Sequence, residues 1–463
     1  MKFKKILLPL FVFTGFFSSA QDCNCSNEFL FIKNFIEQNY AGYSDKLTDA
    51  TKPAYTNMSN QLLQLTKQRL SKQKCLLIIS QYLDWFKDHH IQVSPNFDAT
   101  KTDSSYIKKG EVYRITPAKL EQLRHSKSIE GIYYFGFDSS YKIAVIKDKT
   151  PLRDYVGIML ESKIPTWKTG LVKFEAKLVE DSLLKGVLYI RNHMPRVEWL
   201  FVGKNSLGVD WQREGTTKET YAGNPYVAVD SKKLSDSTLY LKISTFNASN
   251  AKRIDSMFRA HRQDLTSMPN LVLDLRNNGG GSDFSYKPIL PYLYTNPVKT
   301  VGVDVFSTDA NIAGWKKILE DKDIPEESRK WINNIINNME NNKGKMISMV
   351  NDEIDTLDKV LPYPKKVIIL VNKRCASTTE QFLLYAKQSS KVILLGENTQ
   401  GTLDYSNMRE TNFSCLPYVL DYATTKSRRL NIKQGIDNIG IKPDQYLKPG
   451  TDWLAEALKI AEQ

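Results

Sequence analysis

Histidine and cysteine are both scarce in this chain, five of each in 463 residues, and each scarcity narrows the chemistry available. Cys23, Cys25, Cys75, Cys375 and Cys415 are an odd number, so at least one thiol stays unpaired in an oxidising compartment, and which ones pair is open. Cys23-Asn24-Cys25 has no further ligands at usable spacing and is not a zinc site. Long apolar runs are missing too. The one run present, Ile6 to Phe17, is too short to cross a bilayer. Basic clusters are no larger than Lys232-Lys233 or Arg428-Arg429. The net charge of +13 therefore reads as a solvated basic surface, with no nucleic-acid partner. Internal repeats and low-complexity tracts are absent.

What is present begins with the layout of a secretory signal peptide over residues 1–20: Lys2, Lys4 and Lys5, the apolar run, then Ser18-Ser19-Ala20. The mature chain is expected to be soluble, without stable membrane insertion, and periplasmic or extracellular. Residues 21–104 read as a helical region. Phe29, Ile32, Ile36 and Tyr40 share one helical face, and Leu76, Ile79, Leu83 and Phe86 share another. The second helix runs into Asp88-His89-His90, and Ile91-Gln92-Val93 follows as a strand, which places the histidine pair on a junction.

The period changes to two over residues 105–235. Val172, Phe174, Ala176 and Leu178 alternate with charged residues, and turn clusters separate similar runs, the pattern of an antiparallel β domain. Strand and helix alternate from 236 to 463, an α/β layer interrupted at about 310–358 by an inserted helical hairpin or cap.

Two stretches carry candidate chemistry. "LVLDLRNNGGGS", residues 271–282, is a buried strand ending in three glycines, whose backbone can approach a ligand without Cβ obstruction. It has neither the Gly-Lys-Ser of a phosphate loop nor the spaced glycines of a dinucleotide site, and a plain tight turn is the competing reading. In "CASTTEQFLL", Ser377 stands where a strand hands over to a helix. A serine there is either a helix N-cap, with Glu380 completing a capping box, or a nucleophile beside amides able to stabilise an oxyanion.

These stretches together resemble the C-terminal processing (tail-specific) serine proteases. "DLRNNGGGS" is similar to that family's Asp-Leu-Arg-x-Asn-x-Gly-Gly signature. "VIILVNKRCASTTEQFLLYAKQSSKVILLGENTQG" is similar to its nucleophile segment, and "GIDNIGIKPD", residues 435–444, to its closing element. The resemblance implies an α/β fold with a crotonase-like core, an N-terminal helical region and an inserted antiparallel β domain. It implies Ser377 as nucleophile and an oxyanion hole from the amides of Thr378 and of Gly280 or Gly281. One position departs from the Ser-Lys branch, because Thr402 stands where the lysine follows the Gly-x-Thr-x-Gly turn.

A second branch, which includes the tricorn core protease, takes its base from a histidine in the N-terminal region. "FKDHHIQV" resembles that segment, implying His90 as general base, His89 where a small residue usually sits, and Asp437 as the carboxylate that orients the base. An imidazole with an ordinary pKa of about 6.5 takes up and returns a proton near neutrality, so it substitutes for a desolvated lysine. His261 shares a helical face with Ile254, Met257, Phe258 and Leu265 and reads as a partly buried core residue, while His125 and His193 have no carboxylate motif beside them. The β region lacks the signature loops of a PDZ domain. The expectation is a secreted serine peptidase acting on peptide or protein substrates, with Glu380 and Thr402 in support and no metal or other cofactor. The alternative is a catalytically inactive binding protein on the same scaffold.

Overall fold

The computed structural model describes residues 23–68, 72–98, 111–136, 139–208, 210–216, 227–322, 324–448 and 450–463; the signal segment at 1–20 lies outside them. The helices Cys25–Asn39, Lys52–Thr66 and Lys72–Asp84 pack at the N-terminal end. Their apolar stripes meet as the 3.6-residue period predicts, with Phe29, Ile32, Ile36, Leu76 and Ile79 all at 0% exposure. Two disulfides fasten this region: Cys25–Cys75 joins its first and last helices, and Cys23–Cys415 ties it to the C-terminal half. Cys375 is the thiol left over, buried.

An eight-stranded antiparallel sheet follows between Gly131 and Arg213, and a bridge between Val202 and Leu207 brings its ends towards closure, nearly a barrel. The alternation in strand Val172–Glu180 holds for Val172, Phe174 and Ala176, but Leu178 is 40% exposed while Lys173 and Glu175 are buried. The two charges go inside because each finds a partner there. Lys173 Nζ lies 4.0 Å from the Trp167 ring centroid, 4.1 Å from that of Tyr141, and donates to the Tyr189 carbonyl at 2.6 Å. Glu175 accepts from the Tyr189 hydroxyl at 2.5 Å and pairs with Lys74 and Arg153.

The second sheet orders its strands Val229–Lys233, Thr238–Ile243, Asn270–Asp274, Lys366–Val371, Val392–Gly396 and Gln445–Tyr446. All neighbours are parallel except the first pair. Val229–Lys233 thus belongs to this sheet, on the core side of the boundary expected at 235; its polar sequence suits an edge strand with one partner. Central strands need apolar residues on both faces, and Val367, Ile368, Ile369, Leu370 and Val371 are all at 0% exposure, each stabilising by about 1.5–3 kcal/mol. Helices Ala251–Ala260 and Thr378–Ala386 cover one face and Trp453–Ala461 the other.

A third, mixed-origin sheet positions the site. Strand Gln92–Pro95 from the N-terminal region pairs antiparallel with Tyr418–Ser427, Gln92 opposite Asp421, and Val303–Phe306 and Met346–Val350 continue the sheet. The interrupting segment holds helices Asp309–Ile318 and Glu326–Glu340 as expected, packed through Ile312, Trp315, Ile332, Ile335, Ile336 and Met339. It also contributes strands Met346–Val350 and Glu353–Asp355, so it is wired into two sheets.

Candidate active site

Ser377 follows the central strand Lys366–Val371 and precedes helix Thr378–Ala386. Its backbone has φ +55° and ψ −123°, outside the extended geometry usual for an N-cap. A non-glycine residue held there costs on the order of 1–3 kcal/mol. The strained turn leaves Ser377 partly exposed between buried Ala376 and Thr378. The glycine turn is pressed against it. A Cβ on Gly280 would fall 2.9 Å from both Ser377 Cβ and Thr378 N, and one on Gly281 only 2.3 Å from the Phe246 carbonyl. Close approach, beyond the needs of a plain turn, therefore requires both glycines. The Gly280 N–H donates to Asn278 Oδ1 at 3.0 Å. Among the described residues the amides of Gly281 and Thr378 have no protein acceptor, while the Thr378 hydroxyl donates to the Gly281 carbonyl at 3.0 Å.

Pairing of Gln92–Pro95 with the C-terminal hairpin carries His90 to this turn. Its Nε2 lies 3.0 Å from Ser377 Oγ across 287 residues of sequence, and its Nδ1 lies 2.5 Å from the carbonyl of Tyr405. A carbonyl only accepts, so Nδ1 carries the hydrogen and Nε2 presents a lone pair to the serine hydroxyl. The main chain at His90 is held as well: its N–H donates to Asp88 Oδ1 at 2.8 Å, and the Tyr40 hydroxyl donates to Asp88 Oδ2 at 2.6 Å.

Asp437 corrects the sequence expectation. The orienting hydrogen bond to the base comes from the Tyr405 carbonyl. The Asp437 carboxylate instead accepts the amides of Leu403 and Asp404, both at 2.8 Å, so it acts on the segment that carries that carbonyl. The Tyr405 carbonyl occupies the place at Nδ1 that a triad carboxylate would need. Burial, then the charges of Asp88 and Asp404, push the Asp437 carboxyl up to about 8. Asp404 reciprocates by accepting the amides of Ile436 and Asp437 at 2.6 and 2.8 Å.

The supporting residues sit around this core. Glu380 accepts from Ser377 N at 3.2 Å, from Gly401 N and Thr402 N at 2.7 Å, and from Thr399 Oγ1 at 2.5 Å. Desolvation raises its carboxyl despite these bonds. Thr402 accepts from Ser377 N through its carbonyl at 3.0 Å, and among the described residues its buried Oγ1 has no partner. His89 stacks on Trp199 at 4.7 Å and meets Gln400 Nε2 through Nδ1 at 2.8 Å; burial, then Lys185, lowers it to about 4, so it is a neutral wall residue. The structure thus brings together Ser377, His90, Thr378, Gly280, Gly281, Glu380 and Thr402, with His89 at the side. Sequence reasoning missed Tyr405, which acts through its main chain and leaves no side-chain signature. It also missed Asp88, whose signal was its place two residues before His90.

Residues 237–447 match the model of peptidase family S41. No curated protein matches the chain. Among solved structures, mature CPAF complexed with lactacystin aligns at 12% identity and a TM-score of 0.50, over 92% of this chain and 93% of that one, a likeness of fold. The photosystem II D1 C-terminal processing protease aligns at 14% identity and a TM-score of 0.38, over 95% of this chain and 97% of its own. The tricorn protease aligns at 13% and 0.38, over 95% of this chain and 37% of its own.

Proposed function

The chain is a member of peptidase family S41, a serine-type peptidase, and from this premise we propose that it hydrolyses peptide bonds through an acyl-enzyme, with Ser377 as nucleophile and His90 as general base. The observation that carries the reading is the 3.0 Å contact between His90 Nε2 and Ser377 Oγ. Ser377 Oγ attacks the scissile carbonyl while Nε2 takes its proton. The developing oxyanion turns to the amides of Thr378 and Gly281, a donor pair of which each member is worth about 2.7–4 kcal/mol in the transition state. The imidazolium is held by its Nδ1–H on the Tyr405 carbonyl, with the Asp88 carboxylate behind its main chain. It then protonates the leaving amine, and a water activated by the same Nε2 releases the acyl group.

Asp437 is a positioning residue in this scheme, fixing residues 403–405. The core is read as crotonase-like, a reading supported by its parallel strands with helices on both faces. Export from the cytoplasm is supported by the N-terminal layout and by the two disulfides. The inactive-scaffold alternative rests on Thr402 in place of lysine, and His90 removes its motive by supplying another base. A fluorophosphonate probe tests the proposal. Located by peptide mapping, the adduct should sit on Ser377 in the wild type, and Ser377→Ala should lose that adduct together with peptidase activity; a wild type carrying no adduct at Ser377, or full peptidase activity in Ser377→Ala, would refute the assignment.

A further inference from the structure

A second serine, histidine and aspartate, none of them part of the site above, are joined at the edge of the core sheet. Ser231 lies on the edge strand Val229–Lys233 and its Oγ is 2.9 Å from His261 Nε2; His261 Nδ1 is 3.1 Å from Asp264 Oδ2. The order of contacts is that of a nucleophile, a base and an orienting carboxylate. Its local origin is a break in the helical run expected over 251–265. Helix Ala251–Ala260 ends at His261, and the short turn Arg262–Leu265 resumes beyond it, placing Asp264 under the ring. Lys233 Nζ holds the other Asp264 oxygen at 2.8 Å, which fixes the carboxylate.

The constellation opens on a surface cavity of about 560 Å³. Val229, Met257 and Ala260 give it an apolar wall, Lys252 and Arg253 a cationic one, and Ser231 and His261 line it directly. The His261 side chain is 23% exposed, so the ring is reachable without being free to rotate away from two bonded neighbours.

We propose that Ser231, His261 and Asp264 form a second acyl-transfer site that hydrolyses short-chain carboxylic esters, the acyl chain on Val229, Met257 and Ala260 and the oxyanion facing Lys252 and Arg253. Ser231 Oγ bonds to the ester carbonyl carbon and its proton passes to His261 Nε2. The ester C–O bond breaks, and the leaving alkoxide takes that proton. Water then attacks acyl-Ser231 with Nε2 again accepting its proton, and the carboxylic acid leaves with Ser231 regenerated. The reaction needs no partner but water.

The experiment uses Ser377→Ala as the parent, so that failure of the peptidase reading and failure of this one are read separately. Hydrolysis of p-nitrophenyl butyrate and fluorophosphonate labelling are measured in that parent, with the adduct located by peptide mapping. The expected result is residual ester hydrolysis with the adduct on Ser231, and a rate lower by about tenfold or more when Ser231→Ala or His261→Gln is added. In the Ser377 protein, Ser231→Ala should leave peptide hydrolysis unchanged. No adduct on Ser231, or an ester rate indifferent to either substitution, overturns the proposal and leaves the three side chains as a structural hydrogen-bond chain.

Discussion

Replacing Asp437 by asparagine separates two accounts of how His90 is held. Were Asp437 the orienting carboxylate of a Ser–His–Asp triad, its conversion to an amide would cost about 10⁴ in kcat, because the imidazole would sit in the wrong tautomer. In the structure that task belongs to the Tyr405 carbonyl, which an asparagine at 437 does not touch. Asparagine Oδ1 is still able to accept the amides of Leu403 and Asp404, so residues 403–405 keep their place. The expected loss in kcat is therefore within about tenfold.

Stability supplies an independent reading of the same substitution. The Asp437 carboxyl has an ordinary value of 3.8 and is pushed to about 8 in the fold, by burial first and then by Asp88 and Asp404. Below about pH 4 the folded and unfolded chains both hold the proton, and the contribution is fully present. Between about 4 and 8 the unfolded chain releases it while the folded chain keeps it, so stability falls as pH rises through this window. The span from 3.8 to about 8 corresponds to at most about 6 kcal/mol, less to the extent that neighbouring carboxylates share the titration. Asp437→Asn removes that slope and gains on the wild type as pH rises to 8. Urea denaturation at pH 5 and pH 8, paired with kcat at each pH, makes the measurement. A fall in kcat near 10⁴, or a stability difference between wild type and Asp437→Asn that is the same at those two pH values, would refute the reasoning.

Other outcomes follow from the same geometry. His90→Ala should reduce acylation of Ser377 by about 10²–10⁴ while leaving the circular dichroism and the melting transition close to wild type. Gly280→Ala introduces a Cβ 2.7 Å from the Ala376 carbonyl and 2.9 Å from Ser377 Cβ at a φ of +99°. It should cost about 1–3 kcal/mol of stability in denaturant and about 10²-fold in kcat through displacement of the nucleophile; a wild-type rate would show that the glycine turn does not set the nucleophile's position. Cys375 is buried with its thiol pushed up to about 12 and bonded to the Leu275 carbonyl, so iodoacetamide should label it only after unfolding. Cys415→Ser opens a link across 392 residues and should lower stability by about 2–5 kcal/mol, read as a lower urea midpoint with a steeper slope, because the freed unfolded chain exposes more surface.

The parts of this molecule legible in its sequence are those where one residue type has one structural use. The stripes Phe29-Ile32-Ile36 and Leu76-Ile79-Leu83 announce helices because a 3.6-residue period has few other meanings, and all six side chains are buried. The consecutive glycines announce close approach of main chain, though only the contact with Phe246 and the Asn278 bond separates Gly280 from Gly281. Residues with several uses misled. Lys173 and Glu175 suggest a solvated face by their charge, yet ring faces and ion pairs hold them inside. Asp230-Ser231-Lys232-Lys233 falls within the β domain by the boundary expected at 235, yet it is an edge strand of the parallel sheet. Main-chain roles are the most hidden, since every residue carries the carbonyl that Tyr405 uses.

The turn without the lysine turns out to be the piece that joins the nucleophile to its base. Glu380, on the serine helix, binds the amides of Gly401 and Thr402, and the Thr402 carbonyl binds the amide of Ser377. One residue further, Asp437 binds the amides of Leu403 and Asp404, and the Tyr405 carbonyl then meets His90. Five consecutive residues, 401–405, thus carry main-chain contacts to Ser377, to its helix, to the closing element and to His90. In a Ser–Lys site the same turn would have delivered the base as a side chain. Here it orients the His90 ring, which arrives from 287 residues away, and among the described residues the buried Thr402 hydroxyl has no partner. Thr402→Val tests that division of labour: it removes only the orphaned hydroxyl and retains the carbonyl that binds Ser377. Activity should stay within a few-fold of wild type and stability should hold or rise by about 1 kcal/mol, whereas a large loss of kcat would assign the hydroxyl a part in the chemistry.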